Sequence, residues 1–393
     1  MIYLDNAATT QMKQEVLDEM MPYFREYYGN ASAVYELGNK SKYAIDVARD
    51  RAAALLHTKA ERIFFTSGGS ESDNWAIIKA TQMMSDKGRH LITSSIEHPA
   101  VINTMKALQD EGFDVTFLPV DEKGFVSVDS VRDAIREDTT LISIMTANNE
   151  IGTIEPVAEI GELAHEHGIL FHTDAVQAFG QIPINPDEMN IDMLSASAHK
   201  IYGPKGVGLL YLSPKASRIR SLIHGGGQER NKRAGTENVP GIVGFGKACE
   251  LAASTVNERM QKESELRDYF IKRVLEGIPL TCLNGAEGRD RLPGNVNIGF
   301  KFIEAESALI LLDQKGIAAS SGSACTAGSI DPSHVLLAIG RDEDEARESL
   351  RFTLSDSTTK EEFDRTVEIL KDIVEMLRSS NIFYQDYLDK KEQ

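Results

Sequence analysis

Through the first 215 positions, apolar residues fall into two alternating patterns. Short, β-branched or continuous apolar runs predict strands at Arg62–Thr66, His90–Ser94, Val115–Pro119, Leu141–Thr146, Ile169–Thr173, Met193–Ser197 and Gly206–Leu212. Between them, helical spacing predicts helices over 11–24, 39–57, 71–85, 99–111, 128–136 and 156–167. Strands alternating with helices imply crossover connections. The expected fold class is α/β, with a mostly parallel seven-stranded sheet covered by helices.

Near residue 255 the pattern changes. A long amphipathic helix over 239–276 leads into shorter strands at Thr281–Leu283, Asn295–Gly299 and Ile317–Ser320. Helices follow near 304–314, 332–338, 342–350 and 360–378, and the last dozen residues are expected to fray. Asp342-Glu-Asp-Glu345 suits a helix N-cap with an acidic first turn. These patterns divide the chain into a large domain, 16–255, and a smaller α+β domain built from 1–15 and 256–393.

Composition narrows the function classes. The chain of 393 residues carries 42 basic and 60 acidic residues, a formal net charge of −18. Such a surface repels nucleic-acid phosphates and anionic lipid, so neither direct nucleic-acid binding nor a membrane is expected. No apolar run is long enough to span a bilayer, and the first residues lack a secretory leader pattern. Three cysteines without a CxxC fit neither a disulfide framework nor a zinc ribbon, and they suit a reducing cytoplasm.

The candidate chemistry lies at the strand ends, where ligands of open α/β sheets bind. Thr66 runs into Ser67-Gly-Gly-Ser-Glu71, Thr93 into Glu97-His98, and Thr146 into Asn148-Asn149-Glu150. Thr173 runs into Asp174 and Gln177, and Ser197 into His199-Lys200. Five such ends imply one convergent site. The Gly68-Gly69-Ser70 turn allows backbone N–H groups to approach an anion at a helix start, although a plain tight turn fits equally well. A semi-buried Lys200 is a candidate nucleophilic amine; alone it reads more readily as a snorkelling lysine. Asp174 ends an apolar strand and needs a partner, and a pyridinium nitrogen would serve. The segment His224–Arg233 is locally basic, suited to a loop or to a phosphate neighbour. His165 and His167 suit a solvated helix end better than a metal site.

An ordered set of stretches carries a family resemblance. These are Tyr3-Leu-Asp-Asn-Ala-Ala-Thr9, Thr66-Ser-Gly-Gly-Ser-Glu-Ser72, Glu97-His98, Asn148-Asn-Glu-Ile-Gly152, Asp174-Ala-Val-Gln177 and Ser197-Ala-His-Lys200. Further on come His224-Gly-Gly-Gly-Gln-Glu-Arg230, Arg233-Ala-Gly-Thr-Glu237, Ser321-Gly-Ser-Ala-Cys-Thr326 and Arg351-Phe352. Together they resemble the pyridoxal-phosphate-dependent cysteine desulfurases of the NifS/IscS type, class V aminotransferases of fold type I. The resemblance departs near residue 30, where Asn30-Ala-Ser-Ala-Val-Tyr35 stands for Asn-Pro-Ser-Ser-x-His, and at Met145-Thr-Ala, where the family commonly has a bulkier residue.

The resemblance implies pyridoxal 5'-phosphate as cofactor and L-cysteine as substrate. Lys200 would hold the cofactor covalently and then act as base at the substrate Cα. Asp174 would pair with the pyridine nitrogen, His98 would stack on the ring and handle protons, and Gln177 would bond the phenolic oxygen beside Asn149. The phosphate would be held by Gly69, Ser70, Ser197 and His199, and by Thr236 from the other subunit of a homodimer. Arg351, with Asn30 assisting, would take the substrate carboxylate. Cys325 would be the nucleophile that carries a persulfide to an acceptor protein, such as an iron–sulfur scaffold or a thiolation enzyme. No intrinsic metal is implied, with Cys325 a candidate for transient iron–sulfur ligation. Cys249 and Cys282 read as small core residues. The rival readings are a selenocysteine lyase or an aminotransferase on the same scaffold, and a binding protein that has lost catalysis.

Overall fold

The computed structural model describes residues 1–321 and 332–391. Among the described residues, thirteen strands form three sheets. They are β1 (Ile2–Tyr3), β2 (Ile63–Thr66), β3 (His90–Ser94), β4 (Asp114–Leu118), β5 (Thr139–Ser143), β6 (Leu170–Asp174), β7 (Met193–Ser197), β8 (Gly208–Leu212), β9 (Thr281–Leu283), β10 (Asn295–Phe300), β11 (Ile317–Ala318), β12 (Ser320–Ser321) and β13 (Ser349–Thr353). The large sheet has seven strands in the order β2-β8-β7-β6-β5-β3-β4. β8 pairs antiparallel with both neighbours, and every other pairing is parallel.

Helices cover both faces of this sheet, so apolar residues of its strands are buried on both sides. Ile63, Phe65, Ile92, Ile142, Phe171, Leu194, Leu209 and Tyr211 face one core. They pack against the helices Glu36–Leu55, Val157–Glu166 and the first half of Val239–Gly277. Phe64, Leu91, Leu141, Leu170, Met193 and Leu210 face a second core with Trp75, Ala76 and Ile77 of the helix Gly69–Met83 and Val101 and Met105 of Pro99–Asp110.

A separate core surrounds the antiparallel sheet β12-β13-β10-β9. It gathers Ile2, Leu4, Phe270, Val296, Ile298, Phe300, Leu350, Phe352 and Phe363. The helix Val239–Gly277 runs through both territories, with Ile242, Phe245 and Ala252 in the first core and Phe270 and Val274 in this one.

Four expectations change. The helix expected over 342–350 ends at Arg347, and Ser349–Thr353 form β13 instead. The Asp342–Glu345 capping box starts that helix as expected, but five residues close it, after which alternating Leu350 and Phe352 enter the core as a strand. The strand expected at Ile317–Ser320 is two: β11 pairs with β1, and β12 with β13. The helix expected over 11–24 breaks at Pro22, which has no N–H to donate. The last residues, expected to fray, form the helix Ile382–Lys391, where Tyr384 and Tyr387 lie against Phe302.

Candidate active site

The carboxyl ends of β2, β3, β5, β6 and β7 open onto one cleft of about 200 Å³. Gly69, Ser70, His98, Asn149, Asp174, Gln177, Ser197, His199 and Lys200 line it, together with Ala7, Asp73, Met145 and Val176. Nine residues singled out in the sequence thus converge.

Gly69 and Ser70 open a 15-residue helix, whose first N–H groups have no intrahelical partner and face the cleft. A Cβ on Gly69 would lie 2.6 Å from Val176 Cγ2, so only glycine fits without displacing the wall. Gly68, at φ +157°, makes the turn. Glu71 in the first turn accepts from the Ser67 N–H at 2.9 Å and from Arg233 at 2.9 and 3.1 Å. Burial pushes its carboxyl up, but the bonds from Arg233 and Ser67 outweigh that and lower it.

Lys200 lies in the short helical turn Ala198–Lys200 after β7. Its Nζ donates to the carbonyls of Ala7 and Ala8 at 2.5 and 2.9 Å. Gln177 Nε2 also donates to Ala7 O, at 3.0 Å, so the N-terminal stretch closes one side of the cleft. His199 Nδ1 lies 3.2 Å from Thr9 Oγ1. Burial, with the charges of Lys200 and Lys205, pushes the His199 imidazole down to about 4.

On the floor, ionisable atoms of Asp73, His98 and Asp174 lie within 4.8 Å of one another. Burial raises the Asp174 carboxyl, against the opposing pull of His98 and Lys200. Asp73 is raised further by burial and by Asp174, since two buried carboxylates this close resist joint ionisation. Asp73 Oδ1 has no hydrogen-bond partner. Beneath them His172, fully buried and held down to about 3, sits between Ser143 Oγ at 2.8 Å and Ser195 Oγ at 3.0 Å. His98 is lowered by burial, and its Nδ1 accepts from the Ala100 N–H at 3.1 Å.

This donor set fits a phosphorylated pyridine. An anion would meet the helix start at Gly69 and Ser70. A ring N–H would meet the two raised carboxylates, Asp174 with the partnerless Asp73 Oδ1 behind it. The amine of Lys200 stands on the side closed by Ala7.

The remaining predicted residues lie elsewhere. Arg351, 2 % exposed, is set behind the Asn149 wall on β13. It donates to Asn149 O and to Asp5 Oδ1, both at 3.0 Å. Asn30 and Thr236 are exposed and do not line the cleft. Cys325 lies outside the described residues. Cys249 is buried in the first core, where burial pushes its thiol well up, and Cys282 is half-buried on β9. The basic segment His224–Arg233 is anchored by its own neighbours. Glu229 accepts from Arg49 at 2.7 and 2.8 Å, and the Arg230 guanidinium lies 4.2 Å from the Phe64 ring.

Sequence reasoning passed over Asp73 and the Ala7 carbonyl. Asp73 carries a legible signal, since it falls four residues after Gly69 on the same helix and hence on the same face. The role of Ala7 is played by backbone, which leaves no side-chain signal.

Comparison with known proteins places the chain in a family. The model of the aminotransferase class-V family matches residues 2–366. A cysteine desulfurase IscS of Clostridium botulinum is 51 % identical, aligned over 100 % of this chain and 99 % of its own. A solved NifS-like protein superposes with a TM-score of 0.87 at 38 % identity, over 96 % of this chain and 99 % of that one. A solved complex of SspA with cysteine gives 0.80 at 39 % identity, over 91 % and 100 %. The chain therefore belongs to the class-V aminotransferase family, within its NifS/IscS-type cysteine desulfurases.

Proposed function

We propose that the protein converts L-cysteine to L-alanine, leaves a persulfide on Cys325 and passes that sulfur to an acceptor protein for iron–sulfur cluster or thio-cofactor assembly. The observation that carries this reading is the convergence of Lys200, His98 and Asp174 with the Gly69–Ser70 helix start in one cleft. Pyridoxal phosphate, the cofactor of this family, supplies an electron sink conjugated to the substrate Cα.

Gly69, Ser70, Ser197 and His199 would hold its phosphate, and Asp174, backed by Asp73, would hold its ring N–H. Lys200 would hold the cofactor and move the Cα proton of the substrate. Its place beside the Ala7 and Ala8 carbonyls keeps the amine directed at the cleft. His98, its imidazole lowered by burial, would stack on the ring and accept or return a proton. Gln177 and Asn149 flank it. Arg351 takes the substrate carboxylate in place of Asp5, with Asn30 assisting. The Cys325 thiolate attacks the substrate sulfur. A sulfur–sulfur bond forms, the Cβ–S bond breaks, and its electron pair goes to carbon. Protonation at Cβ then completes alanine.

We further propose a cytoplasmic homodimer in which Thr236, exposed on its own chain, reaches the phosphate in the cleft of the other subunit. Residues 16–255 act as the cofactor domain, and 1–15 with 256–393 as the small domain that carries Cys325. Val16 in the first core and Ile2 and Leu4 in the small-sheet core support that division. Among the described residues, no helix is long and apolar enough to cross a membrane.

Purified protein given L-cysteine and a thiol reductant should release equimolar alanine and sulfide, and borohydride should fix the cofactor to the peptide containing Lys200. Amino transfer to a keto acid without sulfide release would support the aminotransferase rival instead.

A further inference from the structure

The stretch between Ser321 and Ser333 carries Cys325, and its two ends are held at one place in the fold. On the N-terminal side, Ser320 pairs with Arg351 across β12 and β13. On the C-terminal side, the buried Ser333 hydroxyl donates to Glu150 Oε2 at 2.5 Å, and His334 Nε2 lies 3.0 Å from the Glu97 carbonyl. Glu150 directly follows Asn149, whose carbonyl accepts from Arg351. Glu97 directly precedes His98. Both anchors of the stretch therefore bond to residues next to or behind the cleft-lining Asn149 and His98.

Glu150 is rigidly set. Its N–H donates to Asn148 Oδ1 at 2.8 Å, and its carbonyl accepts from the side chains of Asn295 and Asn297 at 3.3 and 3.2 Å. It is 6 % exposed, and burial raises its carboxyl to about 7 against the lowering pull of Ser333 and Arg351. A buried carboxylate is costly to keep unless its bonds serve a purpose. The Ser333 hydroxyl is fully used: it donates to Glu150 and accepts from the Leu336 N–H at 3.2 Å, capping the helix His334–Ala338.

We propose that Glu150 and Ser333 are positioning residues, anchoring the C-terminal end of the Cys325 stretch to the Asn149–Arg351 wall, so that sulfur abstraction depends on their hydrogen bond while cofactor binding does not. This inference rests on the desulfurase reading. Neither residue touches the cleft atoms that would hold the cofactor, so the two steps can be read separately.

The test compares holoenzymes of wild type, Ser333→Ala, Ser333→Thr, Glu150→Leu and the double variant. Cofactor content and the absorbance change at saturating L-cysteine should stay at wild-type values in all of them, and KM should stay so in the two single Ser333 variants, since Glu150 lies within electrostatic reach of Arg351. Persulfide on Cys325 and the alanine rate should fall about tenfold in Ser333→Ala and in Glu150→Leu, as expected for loss of a hydrogen bond to a charged group. Ser333→Thr keeps the hydroxyl and should retain the rate. The double variant should be no slower than the slower single one, because both remove the same bond.

Glu150→Leu leaves the Ser333 cap intact. A wild-type rate in that variant, or single effects that multiply, would mean that Ser333 is only a helix cap and would overturn the anchor. Should Ser333→Ala fail to fold, Glu150→Leu and Ser333→Thr still decide the point. Absence of persulfide on Cys325 in wild type itself would bring down the desulfurase reading and the anchor's role with it.

Discussion

The two main sheets solve the burial of a β-strand in opposite ways. In the seven-stranded sheet both faces are covered, so Leu91 and Ile92, Leu170 and Phe171, and Met193 and Leu194 are buried on alternate sides. Most polar chemistry is thereby displaced to the strand ends. In the four-stranded sheet only one face enters a core. Val296, Ile298, Phe300, Leu350 and Phe352 point into it. Their alternates Asn295, Asn297 and Arg351 bond to the backbone of Asn149 and Glu150 on the cleft wall. The large sheet offers its functional groups at its rim, whereas the small sheet offers them from the middle of its strands. A cleft closed by both receives a rigid rim on one side and a polar β-face on the other.

The largest effect should come from the rim. Lys200→Ala should reduce alanine formation to background and leave no borohydride-fixable cofactor, with the thermal melt little changed. Any retained turnover would break the contrast, because the small sheet would then be supplying the chemistry.

Next is the support beneath the rim. Glu229, 6 % exposed, pairs bidentately with Arg49 and accepts from the Phe65 N–H of β2 at 2.9 Å. Glu229→Ala leaves a buried guanidinium without its anion and should destabilise the fold by about 3–5 kcal/mol in urea unfolding. The loss should appear in the large-sheet region first.

pH offers a third probe. Burial raises the Glu155 carboxyl from 4.5 to about 8, and Oε1 has no hydrogen-bond partner while Oε2 accepts from the Val126 N–H. The folded state therefore holds this proton more tightly than the unfolded state does. The stability it contributes is whole below about pH 4.5 and is lost as pH rises through about 8. Glu155→Gln should flatten the fall in stability between those limits by on the order of 2–4 kcal/mol, measured by denaturant titration across pH. An unchanged slope would show that another group carries it; Glu97, also raised to about 8 by burial, is the next to test.

The smallest effect belongs to the small sheet. Arg351→Lys loses the planar fork and should raise KM for L-cysteine about tenfold with cofactor content intact. A fall in kcat with unchanged KM would assign Arg351 to wall structure instead.

The contrast between the sheets also explains what the sequence discloses. A strand buried on both faces leaves a short, continuous apolar run, and all seven runs lie within two residues of the strands of the large sheet at their N-terminal ends. Its polar rim residues stand out against that background, which is why His98, Asp174 and Lys200 are legible together, as a set of strand ends. A half-polar strand hides better. Ser349-Leu-Arg-Phe-Thr353 follows an acidic helix start, and its polar alternates extend the helical pattern until Leu350 and Phe352 are seen to share a core. β1 has two residues and is defined only by its pairing with β11, more than 300 positions away. Asp73 sits inside an ordinary-looking helix, and only the spacing from Gly69 places it in the cleft.

The central claim is that the cleft breaks a carbon–sulfur bond and that Cys325 receives the sulfur. Isotope-labelled L-cysteine, followed by peptide mass spectrometry without reductant, tests it most directly. The account predicts one labelled sulfur on the Cys325 peptide, none on Cys249 or Cys282, and loss of both label and alanine in Cys325→Ser. Label on Cys249 or Cys282, or full alanine turnover by Cys325→Ser, would contradict it.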